Sequence, residues 1–224
     1  MTNFQRARNE EQREARRRAI LDTAAAMCSE MPVNSVSLNE LSRRVGLAKS
    51  NVLRYFESRE AILLELLDRD WRQWTAELPE LLDAAVAPDT GVLQRGRAFA
   101  ATLSHSLARK PVLCDLLSAQ AGVLEHNVSA DVAARYKRAA LANVAALAAL
   151  ADHHLPELQG HTEQICAQAI LVIGAIWTHA RPSKAMLSAY EADPSLAVLR
   201  MDFEPTLQDM LTTLIAGTLT TTAQ

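Results

Sequence analysis

The most distinctive chemistry in this chain belongs to a polar cluster at helical spacing: Lys49, Ser50, Asn51 and Arg54. Lys and Arg side chains donate hydrogen bonds to guanine acceptors or to phosphates, and the Asn amide pairs with adenine. Val52 and Phe56 stand four residues apart, and this spacing predicts an apolar helix face that packs inward. The pattern predicts a short helix with one face for a protein core and the other for a nucleic acid.

A second short helix is needed to hold this cluster at a fixed angle. Ser37 and Glu40 form a capping box, in which the Ser hydroxyl accepts a hydrogen bond from the backbone N–H of Glu40. Gly46 ends the helix that this box begins. Two short helices joined by a turn form the helix-turn-helix pattern, whose second helix enters the DNA major groove. Tyr55 follows the polar cluster, and its hydroxyl can donate to a phosphate.

Charge is distributed unevenly along the chain. The whole sequence has 23 Lys and Arg against 26 Asp and Glu, for a net charge of −3. Residues 1–60 have 11 basic and 8 acidic side chains, whereas the remainder has 12 and 18. A basic end on an acidic body indicates local contact with a polyanion, although interleaved acidic residues also fit a solvated arm. The N-terminal Arg cluster consists of Arg13, Arg16, Arg17 and Arg18.

Composition and periodicity predict an all-α fold. Of the 224 residues, 49% are hydrophobic but only 4% are aromatic. Ala and Leu, which favour helices, supply most of the apolar content. Apolar residues at helical spacing predict helices over 16–30, 38–45, 90–108, 111–124, 130–152 and 162–179, with others beginning near 49, 58 and 205. Residues 181–204 are expected to form a long connection with one short helix.

No segment has the properties of a membrane span. The longest apolar run, residues 169–177, is too short to cross a bilayer. Residues 1–18 are charged and lack the apolar segment of a secretory signal. We expect a cytoplasmic protein with no membrane partner.

The segment from Gly46 to Leu64 resembles the signature of the tetracycline-repressor-like (TetR) family of bacterial transcription regulators. The Tyr55-Phe56 pair and the Ser58-Arg59-Glu60-Ala61 run at a helix start carry the resemblance, which covers about residues 13–66. It implies a three-helix DNA-binding domain over residues 1–58 and a larger helical domain over 59–224 that dimerises and binds a ligand.

The resemblance also implies which side chains contact DNA: Ser37, Lys49, Ser50, Asn51, Arg54, Tyr55 and Arg59. Arg59 stands where the family usually has Lys, and would contact a phosphate from the start of the long helix. Two positions depart from the family pattern. Ala48 replaces a Ser or Thr cap, and Leu53 replaces an aromatic residue, so neither of those phosphate contacts is expected here.

The larger domain would supply the dimer interface and the ligand site. The resemblance implies a homodimer through the helices over 162–179 and 205–218, where Gly174, Ala175, Ala216 and Gly217 allow close approach; the alternative is that both helices are monomer core. The candidate ligand-binding residues are Trp74, Phe99, Gln120, Asn143 and Trp177, each of which also fits ordinary packing. The long helix from Ser58, which carries the tryptophans, is the candidate lever between the halves.

These patterns favour a ligand-responsive DNA-binding regulator, most simply a repressor that a small molecule releases from a palindromic operator. No catalytic arrangement or cofactor motif is present, so we expect neither an enzyme nor a cofactor. A helical enzyme or carrier with a fortuitous helix-turn-helix is the alternative from another class, and a regulator without a ligand is a third. No metal site is predicted, because His153, His154, His161 and Glu163 lie around a turn without regular ligand spacing. The isolated Cys28, Cys114 and Cys166 are expected to be packing residues.

Overall fold

The computed structural model describes residues 3–158 and 160–222, which form α-helices joined by short turns. The described residues contain these helices: α1 Asn3–Glu30, α2 Leu38–Val45, α3 Lys49–Val52, α4 Arg59–Ala85, α5 Val92–Ala108, α6 Pro111–Ala119, α7 Ala130–His154, α8 Thr162–His179, α9 Lys184–Ala192 and α10 Phe203–Thr222. The all-α prediction is confirmed. The outermost residues of the two predicted domains, 1–2 and 223–224, lie outside the described residues.

Helix boundaries agree with the sequence where caps or apolar stripes define them. Helix α8 occupies the predicted range, and Ser183 caps α9 inside the predicted connection by accepting from the N–H of Met186. Helix α1 begins much earlier than the predicted Arg16, because Glu, Gln and Arg favour helix without any apolar stripe. Helix α6 ends at Ala119, and the chain continues as a wider π-type turn over Gln120–Leu124.

The chain divides into two compact units. The N-terminal unit contains the residues up to Arg69 together with Ala119–Lys137, and the large unit contains Asp70–Ser118 and the residues from Arg138 onward. Apolar side chains from α1 to α4 form the core of the N-terminal unit. Its buried members include Ile20, Met27, Leu41, Val52, Phe56, Ile62, Leu63 and Leu66. This core fixes α3 against α2, as the helix-turn-helix pattern requires.

The large unit has a core of its own, built from α4 to α8 and α10. Its buried members include Trp71, Trp74, Leu78, Phe99, Leu103, Leu147, Ile173, Leu207 and Leu211. Gly174 is buried in this unit, where an added Cβ would lie 3.2 Å from the carbonyl oxygen of Leu117. The small size of Gly174 therefore serves a close approach within the chain, and not the approach of a second subunit that the sequence suggested.

Candidate nucleic-acid interface and ligand cavity

Two local features set the geometry between α2 and α3. The hydroxyl of Ser37 accepts from the backbone N–H of Glu40 at 3.2 Å, which confirms the cap. Gly46 adopts the left-handed conformation with φ of 70°, which disfavours residues with a Cβ, and it ends α2. Helix α3 then begins after Ala48, which makes no side-chain cap.

The Glu40 carboxylate does not complete the capping box. It accepts instead from the guanidinium groups of Arg43 and Arg44, at 2.6–2.9 Å. These two cations lower the pKa of Glu40 to about 2. Helix α2 is thus held by an ion cluster on its outer face, and Arg44 extends the cluster to Glu30 of α1.

The polar face of α3 is open to solvent. Lys49, Ser50, Asn51 and Arg54 are all exposed, whereas Val52 on the other face is fully buried. Within the described residues, these four side chains make no hydrogen bond or ion pair. Their donors and acceptors are available to an external partner without the loss of any contact inside the chain.

Tyr55 and Phe56 connect the end of α3 to helix α1 through one cation. The guanidinium of Arg17 donates to the carbonyl oxygen of Tyr55 at 2.6 Å and lies 4.3 Å from the ring centroid of Phe56. Arg17 also pairs with Glu65 of α4. It therefore belongs to the scaffold, unlike Arg13, Arg16 and Arg18, which are exposed.

The scaffold role of Arg17 had a signal in the sequence. Arg17 lies three residues before Ile20, on the apolar stripe that continues through Ala24 and Met27. A cation on a buried stripe requires partners, whereas the neighbouring arginines fall on the solvent face. Reading the four arginines as one basic patch overlooked this difference.

Arg59 is already bound within the chain, and this sets it apart from the other proposed phosphate contacts. Its guanidinium donates to the carbonyl oxygen of Val33 at 2.8 Å and pairs with Glu60 at 3.2 Å. The Arg59 Nε is enclosed and has no hydrogen-bond partner. A phosphate contact by Arg59 would require the side chain to leave these positions.

Glu57 binds the start of α7 inside the N-terminal unit. Its carboxylate accepts from the backbone N–H of Ser129 at 2.6 Å and from the Ser129 hydroxyl at 2.7 Å. These two donors lower the pKa of Glu57. The Ser129 hydroxyl also accepts from the N–H of Val132, so Ser129 caps α7 as predicted. The residue after the Tyr55-Phe56 pair is therefore attached to the first turn of a long helix.

The proposed ligand residues are not brought together. Trp74 is 1% exposed, and its indole N–H donates to the Ser106 hydroxyl at 2.9 Å. Phe99 is also buried, and Trp177 packs edge-on against Phe203. Gln120 lies in the N-terminal unit, where its amide donates to Glu125. Each of these side chains contributes to packing or to local hydrogen bonding.

Asn143 is the proposed ligand residue that lines a cavity. The cavity has a volume of about 300 Å³ and lies in the large unit between α4 and α7. Its lining consists of Arg72, Thr75, Ala76, Asn143, Ala146 and Leu150. Asn143 is 4% exposed and Thr75 is 8% exposed. The enclosed hydroxyl of Thr75 has no hydrogen-bond partner.

Thr75 had a signal that the sequence analysis missed. It falls on the apolar stripe of α4, four residues after Trp71 and three before Leu78, where it is the polar exception. Polar groups on a buried stripe either find a partner or face a cavity. The partner of such a residue depends on another helix, here α7, and local spacing does not specify that helix.

The three cysteines are buried and free, as expected for packing residues. Burial raises the pKa of Cys114 and of Cys166 to about 12, so both thiols are protonated at neutral pH. No helix within the described residues has the length and apolar character needed to cross a membrane.

Two family models together match most of the chain. Residues 20–66 match the model described as bacterial regulatory proteins of the tetR family. Residues 68–222 match the model described as the tetracyclin repressor-like C-terminal domain.

Curated relatives are similar in the N-terminal part alone. The HTH-type transcriptional regulator EthR of Mycobacterium tuberculosis is 39% identical over 51 residues, which are 23% of this chain and 24% of that protein. EthR of Mycobacterium bovis matches to the same extent. The match thus spans about a quarter of each relative's length.

Solved structures are similar in fold over nearly the whole chain. The fatty acid degradation regulator FadR of Bacillus halodurans has a TM-score of 0.55 and 12% identity, covering 90% of this chain and 95% of that one. A TetR transcriptional regulator from Rhodococcus sp. RHA1 has a TM-score of 0.54 and 13% identity, covering 94% and 98%. At these identities the likeness shows a shared fold.

Proposed function

The chain belongs to the TetR family of bacterial regulatory proteins, and on that premise we propose that it is a homodimeric, ligand-responsive, DNA-binding transcription regulator. The family and the fold are those of transcription regulators, which are not enzymes. One observation carries the proposal: the polar side chains of α3 are exposed and unbound within the described residues, directly opposite a buried face that fixes the helix.

In this proposal α3 lies in the major groove and its polar side chains divide the work. Asn51 reads a base edge, because a side-chain amide can form two hydrogen bonds with adenine. Lys49 and Arg54 bind guanine acceptors or phosphates, and Ser50 donates to a phosphate oxygen. Ser37 and Tyr55 contact phosphates on either side and so position the helix.

The dimer would form through an exposed face of α8 and α10. Leu171 on α8 is 75% exposed and Met210 on α10 is 45% exposed, although both helices bury their opposite faces. Ala175 and Gly217 are also exposed and present little bulk on these two helices. Burial of such apolar surface favours association, and two-fold symmetry would present two copies of α3 to a palindromic operator.

The cavity between α4 and α7 is the proposed ligand site. Its walls are mostly apolar, and the Thr75 hydroxyl offers a donor that has no partner within the chain. A compact apolar molecule with one carbonyl or carboxylate oxygen would satisfy that hydroxyl beside Asn143 and near the cation of Arg72. Release from the operator on binding, as in a repressor, is the simplest response.

Helix α7 is the proposed connection between ligand and DNA. The helix that carries Asn143 begins directly after Ser129, whose N–H and hydroxyl both bind Glu57. A ligand that shifts α7 along its axis would strain this pair and with it the residue that follows Phe56. This route supplements the lever that the sequence suggested in α4, where Arg59 in the first turn and Thr75 occupy one helix.

Selection of binding sites from a random duplex library with the full chain tests the proposed function. We expect an enriched palindrome whose half-sites lie about one helical turn apart, roughly 34–36 Å. Affinity should fall steeply with salt, because phosphate contacts release counterions. If no sequence is enriched and duplex binding at low salt is absent, the chain is instead a helical carrier or enzyme.

The ligand site has a separate test. A thermal-shift screen of small carboxylates and amides should find compounds that raise the melting midpoint of the parent chain. Thr75→Val should abolish that rise while leaving the chain folded, because it removes a hydroxyl without a partner. Thr102→Val is the matched control, since the Thr102 hydroxyl bonds the carbonyl oxygen of Ala98 away from the cavity. An equal rise in both variants would contradict the assignment.

A further inference from the structure

Three metal-ligating side chains meet where α4 and α7 end in the large unit. Asp83 comes from α4, and His153 and His154 come from the last turn of α7. Their ligand atoms all lie within 4.8 Å of one another. The sequence had grouped the two histidines with His161 and Glu163 instead. Asp83 is about seventy residues away in the chain, so local spacing did not indicate it.

His154 is the member that the fold leaves incomplete. Its side chain is 7% exposed, and its Nε2 atom is enclosed with no hydrogen-bond partner. The nearest carboxylate oxygen, Oδ1 of Asp83, lies 3.6 Å from Nε2, which is longer than a hydrogen bond. A buried ring nitrogen without a partner costs free energy that a bound ion would offset.

The surrounding residues fix the position of His154. The Arg95 guanidinium donates to the His154 carbonyl oxygen at 2.9 Å, and the Phe99 ring centroid lies 6.3 Å from that of His154. Burial lowers the pKa of His154, which favours the neutral imidazole that metals bind. The rings of His153 and His154 meet edge to face, with centroids 4.8 Å apart.

The other two members give access from solvent. Asp83 and His153 are both exposed, so an ion can reach the cluster without unfolding the unit. Ligands about 2.0–2.1 Å from a tetrahedral ion lie roughly 3.3 Å apart. The 3.6 Å between Asp83 and His154 is close to that spacing, and small side-chain rotations would bring His153 to it.

We propose that Asp83, His153 and His154 form a binding site for a divalent transition-metal ion of the Zn²⁺ type. Two imidazoles and one carboxylate suit Zn²⁺ and similar ions, whereas Ca²⁺ and Mg²⁺ require a shell of oxygen ligands. Water completes the coordination. The bound ion links the end of α4 to the end of α7, the same helices that line the ligand cavity, and so stabilises the large unit.

Zn²⁺ titration of the tag-free full chain tests this site after a chelator has been used and removed. We expect one ion per chain by calorimetry, together with a higher melting midpoint. Asp83→Asn and His153→Ala each remove a ligand at an exposed position, where neither change disturbs the core. Each should weaken binding at least about tenfold.

Matched controls keep the test specific. His161→Ala removes a nearby exposed histidine, and Asp89→Asn removes an exposed carboxylate from the turn after α4; both should bind Zn²⁺ like the parent. The site is overturned if the parent binds no Zn²⁺, if Asp83→Asn and His153→Ala bind as tightly as the parent, or if His161→Ala alone loses binding.

Discussion

The polar side chains of α3 and those on the inner faces of α4 and α7 differ in what surrounds them. Lys49 and Asn51 are exposed and unbound within the described residues, whereas Thr75, Asn143 and His154 are at least nine-tenths buried. Water solvates the first group at little cost, so the fold does not dictate their types. Burial makes the second group costly, so each needs a partner or a ligand.

The same contrast separates the cations of the N-terminal unit. Arg17 and Arg59 each bind a backbone carbonyl and a carboxylate within the chain. Arg54 makes no such contact in the described residues and lies on the exposed face of α3. A positive side chain near a proposed DNA surface can thus be scaffold or contact, and its partners distinguish the two roles.

The largest expected effect concerns the buried region. Trp74→Ala should destabilise the chain by about 3–5 kcal/mol, because it removes a buried indole and leaves a cavity. Denaturant unfolding monitored by circular dichroism measures this loss. Ser106→Ala, which removes the hydroxyl that accepts from the indole, should cost about 1 kcal/mol. If Trp74→Ala is as stable as the parent but no longer responds to a ligand, Trp74 lines the site after all.

A smaller effect distinguishes the N-terminal arginines. Arg17→Ala should lower stability by about 2 kcal/mol, since it removes a charged hydrogen bond to the Tyr55 carbonyl and the contact with Phe56. Arg13→Ala is the control, because Arg13 is exposed and its loss should leave the unfolding midpoint unchanged. Equal midpoints for both variants would place Arg17 with the solvated arginines.

The smallest effect compares two cations in a salt titration of DNA binding. Arg54→Ala should reduce the slope of log affinity against log salt by roughly one unit if Arg54 contacts a phosphate. Arg59→Ala should leave the slope unchanged and lower the unfolding midpoint, because Arg59 is bound to Val33 and Glu60. A reduced slope for Arg59→Ala would show that this side chain turns to DNA in the complex.

The sequence predicted best what depends on neighbours in the chain. The Ser37 cap, the turn at Gly46 and the bounds of α8 are confirmed, as is the family. These features arise from hydrogen bonds and apolar spacing within a few residues.

Contacts between distant residues were not predictable in the same way. Glu57 binds Ser129 seventy-two residues later, and Asp83 meets His153 and His154 across two helices. Thr75 marked a polar exception on an apolar stripe, but nothing local indicated that it faces Asn143. Periodicity gives the buried face of a helix and does not give the helix that covers it.

The central claim is that α3 reads DNA bases through Asn51. Its most direct test measures the affinity of Asn51→Ala for the selected operator and for a scrambled duplex of equal composition. Asn127→Ala serves as the control, because Asn127 is exposed in the N-terminal unit but lies outside α2 and α3. We predict that Asn51→Ala loses about 1–3 kcal/mol on the operator and nothing on the scrambled duplex, whereas Asn127→Ala matches the parent on both. Equal losses on the two duplexes, or no loss on either, would contradict base reading by Asn51.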